Sequence, residues 1–153
     1  MPSHIRAKIA ALPPEIAFND PDAVKRILAE DAMCESVFTG ESCIFPDMPT
    51  PNQYPDVVQL DKTSTAFAVL VSGQIVATCA SVRENDACAE AYVYTELEFR
   101  RRGYGAQVTA AWARHIMVQG KVPFYSYAGD NAASLGLARR LHLIPYAAVV
   151  VYD

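Results

Sequence analysis

The chain has 153 residues, of which 52% are hydrophobic and 20% charged, with a formal net charge of −4. That is the size of a single domain able to enclose a core, and the composition excludes general disorder. No apolar run approaches the ~18 residues of a membrane span, and a net-acidic chain is a poor wrapper of nucleic acid.

The N-terminus lacks the long apolar stretch of a secretory signal. Cys34, Cys43, Cys79 and Cys88 are scattered, with no CxxC pair, and only His4, His115 and His142 accompany them. No metal is therefore expected, and four reduced thiols in a cytoplasmic protein are. Prolines concentrate before residue 56. The expected organisation is one domain over 1–153, with an irregular front at 1–55 and a regular core at 56–153.

In chain order, Asn19-Asp20-Pro21 opens a helix whose Val24, Ile27 and Leu28 recur at helical spacing and which fades near Cys34. From Thr39 to Pro55 the prolines predict loop, with a short extended piece at Ser42–Phe45. Asp56–Leu60 reads as a short strand. Residues 66–71 and 74–82 form a hairpin around Ser72-Gly73, and 87–95 returns as a third antiparallel strand. A helix follows Gly105 and ends at Gly120, with Val108, Ala111, Trp112, His115 and Ile116 on one face. Pro123–Tyr127 is a strand, Asn131 caps a helix to about Leu141, and Ala147–Tyr152 is the last strand. The predicted class is α+β: an antiparallel meander, then β-α-β-α-β, in a mixed sheet with helices on both faces.

Between the meander and the long helix stands Arg100-Arg101-Arg102-Gly103-Tyr104-Gly105. Glycine lets a backbone come close to a ligand, and a helix start offers unpaired N–H groups at a positive dipole end. That combination suits phosphate oxygens, with arginines adding forked donors. Three solvated arginines before a helix would look the same locally. The dinucleotide pattern GxGxxG fails at Val108, and the P-loop pattern is absent.

Arg100-x-x-Gly103-x-Gly105 resembles the acetyl-CoA pyrophosphate loop of the GNAT superfamily of N-acetyltransferases, and Asn131 through Leu141 resembles that superfamily's last-helix motif. The resemblance is clear from about residue 66 to the end. It implies a GNAT-like fold in which two central strands part and the pantetheine arm of acetyl-CoA enters the gap. On this chain it implies main-chain contacts to the arm from Thr95, Glu96 and Leu97. Backbone N–H groups of Arg101, Arg102, Gly103, Tyr104, Gly105 and Ala106, beside Arg100, would hold the pyrophosphate. Asn131 would touch the arm, with Ser134 nearby.

The resemblance also places Glu90 near a catalytic glutamate of some members, as a base for the attacking amine. A glutamate satisfied by a neighbouring strand or tyrosine is the plainer reading. Many members carry a tyrosine acid where this chain has Ala138; Tyr127 or Tyr146 is then a substitute, although strand tyrosines mostly pack. Proline is common in the family where Leu97 stands, and Gly-Phe where His142-Leu143 stands.

The activity so implied is transfer of acetyl from acetyl-CoA to a primary amine, on a small molecule or peptide, by a cytoplasmic protein with no nucleic-acid or membrane partner and with a homodimer left open. The alternative is a GNAT-fold module that binds acyl-CoA without transfer, as a sensor or interaction domain.

Overall fold

Apolar, β-favouring runs at 67–71 and 75–82 and an alternating run at 88–95, broken by two short turns, dictate a meander, and a longer helix covers one face of it. The computed structural model describes residues 7–8, 10–13, 20–29, 37–61 and 65–152. The chain divides into two compact units, residues 1–40 with 148–153 and residues 41–147. In the first unit, α1 (Pro21–Ala29) buries Val24 and Leu28. The Ala23 N–H donates to the Asp20 carboxylate at 3.1 Å, so Asp20 caps the helix. Asn19 and Cys34, the expected cap and helix end, lie outside the described residues.

Strand β1 (Val37–Ile44) begins earlier than the expected extended piece. Val37, Phe38 and Thr39 favour a pleated strand, and Gly40 lies inside it without breaking it. In the second unit follow β2 (Val57–Gln59), β3 (Phe67–Val71), β4 (Gln74–Glu84) and β5 (Cys88–Thr95). Helix α2 (Tyr104–Val118), β6 (Val122–Ala128), α3 (Ala132–Arg140) and β7 (Ile144–Tyr152) complete the order. β1 and β7 carry residues of both units.

The result is α+β, as expected: a seven-stranded mixed sheet in the order β2-β3-β4-β5-β6-β1-β7. β2 through β5 pair antiparallel and β5 pairs parallel with β6. The β3–β4 turn is Ser72-Gly73, both with positive φ (52° and 81°), the two-residue hairpin turn whose twist matches the strands. In the β4–β5 ladder the register shifts between Ser81 and Arg83, so that Arg83 lies opposite Glu90 and Val82 is the extra residue.

Helix α2 packs against β3, β4, β5 and β6. Val108, Ala111, Trp112 and Ile116 are buried, but so are Thr109, Ala110 and Ala113, so the helix is enclosed well beyond one stripe. Trp112 anchors it: the indole is fully buried, and its N–H donates to Ser81 Oγ at 3.1 Å. His115, between Phe67 and Gln119, is half-buried and packed.

Candidate functional site: a parted strand pair and a glycine loop

Parallel pairing between β5 and β6 covers only Cys88↔Val122, Ala89↔Pro123 and Glu90↔Phe124. Both strands run on, β5 to Thr95 and β6 to Ala128, without pairing further. The Glu96 N–H donates to the Val76 carbonyl and the Asn85 N–H to the Cys88 carbonyl, each at 2.9 Å. These bonds fix the even-numbered residues of β5 as those bonded to β4. By antiparallel alternation, the main-chain groups of Ala91, Val93 and Thr95 turn the other way, into the gap.

The gap widens into a cleft of about 1000 Å³ whose walls are the end of β5, the start of α2, Tyr125 and the first turns of α3. Gly103 sits before α2 with φ of +91°, which only glycine adopts cheaply. A Cβ there would come within 3.0 Å of the Arg140 guanidinium, and one on Gly105 within 3.1 Å of Thr95 Oγ1. The two glycines therefore keep open a cradle of helix-start N–H groups beneath a cation. Such a cradle fits a pyrophosphate, and the strand gap fits an extended arm with its own amide groups.

Of the residues anticipated for the cofactor, Thr95, Leu97, Arg100, Arg101, Gly103, Tyr104, Gly105, Ala106, Asn131 and Ser134 all line this cleft. Arg100 also folds back, its Nε donating to the Thr95 carbonyl at 3.0 Å, which leaves the Thr95 N–H as that residue's group for a ligand. Asn131 uses Oδ1 to cap α3, accepting from the Ser134 N–H at 3.0 Å, so its amide nitrogen is the end that faces the cleft as a donor. Two anticipated residues stand outside the lining. Arg102 stacks over Phe99 at 5.2 Å, and Glu96 accepts from the Tyr94 hydroxyl at 3.2 Å.

Glu90 and Tyr127, anticipated as catalytic, are separated. Glu90 lies at the pair where the strands part, but on the sheet face away from α2, in an ion pair with Arg83 at 3.1 Å. Tyr127 is buried and donates its hydroxyl to the Glu41 carboxylate; that bond, chiefly, pushes the phenol up. It does not reach the cleft wall, whereas Tyr125 does. Burial, chiefly, raises the Tyr125 hydroxyl above its ordinary value, and the neighbouring Ser134 pulls it the other way. Tyr146 packs on Phe124, ring centres 5.2 Å apart. Among the described residues no cluster of metal-ligating side chains occurs, and no helix is long and apolar enough to cross a membrane.

A family profile described as GNAT acetyltransferase matches residues 23–148. The chain belongs to the GNAT acetyltransferase family. No curated protein matches it. Among solved structures, a GNAT-family protein from Novosphingobium aromaticivorans superposes with a TM-score of 0.65 at 19% identity, covering 76% of this chain and 64% of its own. A GCN5-related N-acetyltransferase-like protein from Streptococcus suis gives 0.64 at 16%, covering 86% of this chain and 67% of its own. A GCN5-related N-acetyltransferase from Sphaerobacter thermophilus gives 0.58 at 12%, covering 84% and 55%. This GNAT chain thus spans little more than half to two thirds of those proteins' length, and the likeness is one of fold.

Two residues beyond those anticipated for the cofactor border this GNAT cleft. Arg140 stands over Gly103. Tyr125, like Pro123 and Tyr127, lies on the buried face of β6, which here is also a cleft wall.

Proposed function

We propose that the protein transfers acetyl from acetyl-CoA to a primary amine. The observation that carries this reading is the early end of β5–β6 pairing, with main-chain groups turned into a gap that opens on the Gly103–Gly105 cradle. When bound, acetyl-CoA supplies an acyl thioester, already activated for attack. Helix-start N–H groups from Arg101 to Ala106, under Arg140, bind the pyrophosphate. The Val93 and Thr95 N–H groups align the arm and are donors for the thioester carbonyl; removing such a donor typically costs ~3–4 kcal/mol of barrier.

Glu90, at the apex of the gap, takes the proton that the ammonium must lose before its nitrogen can attack. As the C–N bond forms and the C–S bond breaks, Tyr125 Oη is the hydroxyl placed to give the sulfur a proton. Ala138, buried and without a hydroxyl, cannot.

Saturating CoA at ~100 times Kd should stabilise the fold by ~2.7 kcal/mol, read as a rise in Tm. Gly105→Val should abolish the rise, since its side chain would meet Thr95. Release of free thiol from acetyl-CoA with a panel of amines tests transfer. One observation favours the second reading, an acyl-CoA-binding module without transfer: Glu90 is already paired with Arg83. A CoA-dependent Tm rise with no thiol release under any amine would establish that reading instead.

A further inference from the structure

On the sheet face away from α2 lies a second, smaller pocket of about 360 Å³. It spans β4, β5 and β6 and the part of β1 and β7 in the same unit, and its lining includes Glu90 and Phe124, the pair after which β5 and β6 part. Three kinds of group line it. The Glu90–Arg83 ion pair crosses one wall; Glu90's side chain is 22% exposed and Arg83's 70%. Phe124 and Tyr146 make an aromatic wall. Ser42 and Ser126 bring their hydroxyls together at 3.0 Å. Because such a pair uses only one of its two hydrogens between them, the other is available to an acceptor in the pocket.

The charges decide what fits. Glu90 and Arg83 neutralise each other, and Glu84, which also lines the pocket, is neutralised by Lys121, so the pocket offers no net field to a simple cation. A cationic amine that displaced Arg83 from Glu90 would leave the guanidinium with water alone. A zwitterion exchanges partners without that loss: its ammonium takes Glu90, and its carboxylate takes the planar fork of Arg83. An ammonium and a carboxylate carried on one carbon match an ion pair already in contact. The volume is near the lower end of small-molecule sites, which suits one amino acid and excludes a folded protein surface as the pocket's occupant.

Resting on the acetyl-transfer reading, the geometry points to an α-amino acid with an aromatic or large apolar side chain as the acceptor. Its side chain lies on the Phe124–Tyr146 wall, its carboxylate on Arg83 and its amine beside Glu90, next to where the strands part. Arg83 is a specificity-determining residue here: by moving to the substrate's carboxylate it releases the Glu90 carboxylate for the amine.

The test is calorimetric titration of the full, CoA-loaded chain with L-phenylalanine and with phenethylamine, which differ only by the carboxylate. L-Phenylalanine should bind about tenfold tighter or more, as expected of a charged hydrogen bond weakened by Arg83's exposure. In Arg83→Met the ratio of the two affinities should fall to near one, and in Arg83→Lys it should recover in part. Equal binding of both ligands to the parent chain, or a preference unchanged in Arg83→Met, overturns the assignment. Thiol release from acetyl-CoA, measured separately, tests transfer: a preference for L-phenylalanine without thiol release keeps the pocket's assignment and sinks the transfer reading.

Discussion

Tyr125 and Tyr127 share one face of β6, ring centres 6.0 Å apart, yet their hydroxyls meet different chemistry. Tyr127 donates its hydroxyl to the Glu41 carboxylate in a part-buried hydrogen bond, so its phenol is committed. Tyr125 opens on the cleft between the parted strands, and burial raises its hydroxyl above the ordinary tyrosine value. Tyr125→Phe should therefore lower kcat by about 10²-fold, the low end for an acid acting on a thiol that is already a fair leaving group, while the CoA-induced rise in Tm survives. Tyr127→Phe should leave kcat within about twofold of the parent. If Tyr125→Phe turns over at the parental rate, the thiolate departs unaided. In the parent, kcat should stay level up to at least the ordinary tyrosine range near ~10, since the raised hydroxyl loses its proton only above it.

At the scale of elements, α3 ends in a Schellman motif. The His142 N–H donates to the Arg139 carbonyl at 3.1 Å and the Leu143 N–H to the Ala138 carbonyl at 3.0 Å, with His142 at φ of +54°. Histidine takes this left-handed position at a cost of ~1–2 kcal/mol, which glycine avoids at some loss of unfolded-chain entropy. His142→Gly should raise stability by about 0.5–1 kcal/mol, measured by denaturant midpoint at constant m. That helix end was legible in the sequence, as were the Ser72-Gly73 turn, α2 and the glycine loop, because each rests on local backbone chemistry. β1 was foreshortened because Gly40 and the following prolines outweighed Val37, Phe38 and Thr39 in a reading that has no access to neighbouring strands. The partner of Glu90 was illegible for a related reason. Without the extra residue Val82, that glutamate would face position 82 and not Arg83, and nothing local announces the shift. Tyr125 shows the same limit from the other side, for alternation tells which face a residue takes but not that the face borders a cleft.

At the scale of the molecule, one ion pair fastens the end of the long helix to the sheet. Lys121, just beyond α2, donates to Glu84 at the end of β4 at 2.7 Å, and both side chains are largely covered. This bond, helped by Ser81, holds the Glu84 carboxyl below its ordinary range. A carboxyl lowered by folding stabilises fully above its unfolded value, near ~4.3, and less as pH falls through the folded one. Glu84→Gln should thus lower Tm at pH 7, and the deficit should shrink as both proteins are melted at progressively more acid pH. A deficit that stays constant to pH 3 would mean that packing, not charge, is lost. The parted strands carry a different consequence. Three residue pairs clasp β5 to β6, and beyond them the sheet is an unfinished weave, with the Val93 and Thr95 amides as loose threads. A ligand lying in the gap knits them in, acting as the missing strand. Amide exchange at Val93 and Thr95 should accordingly be rapid in the free protein and slow sharply with CoA, while that of Tyr92 and Tyr94, already tied to β4, stays slow in both.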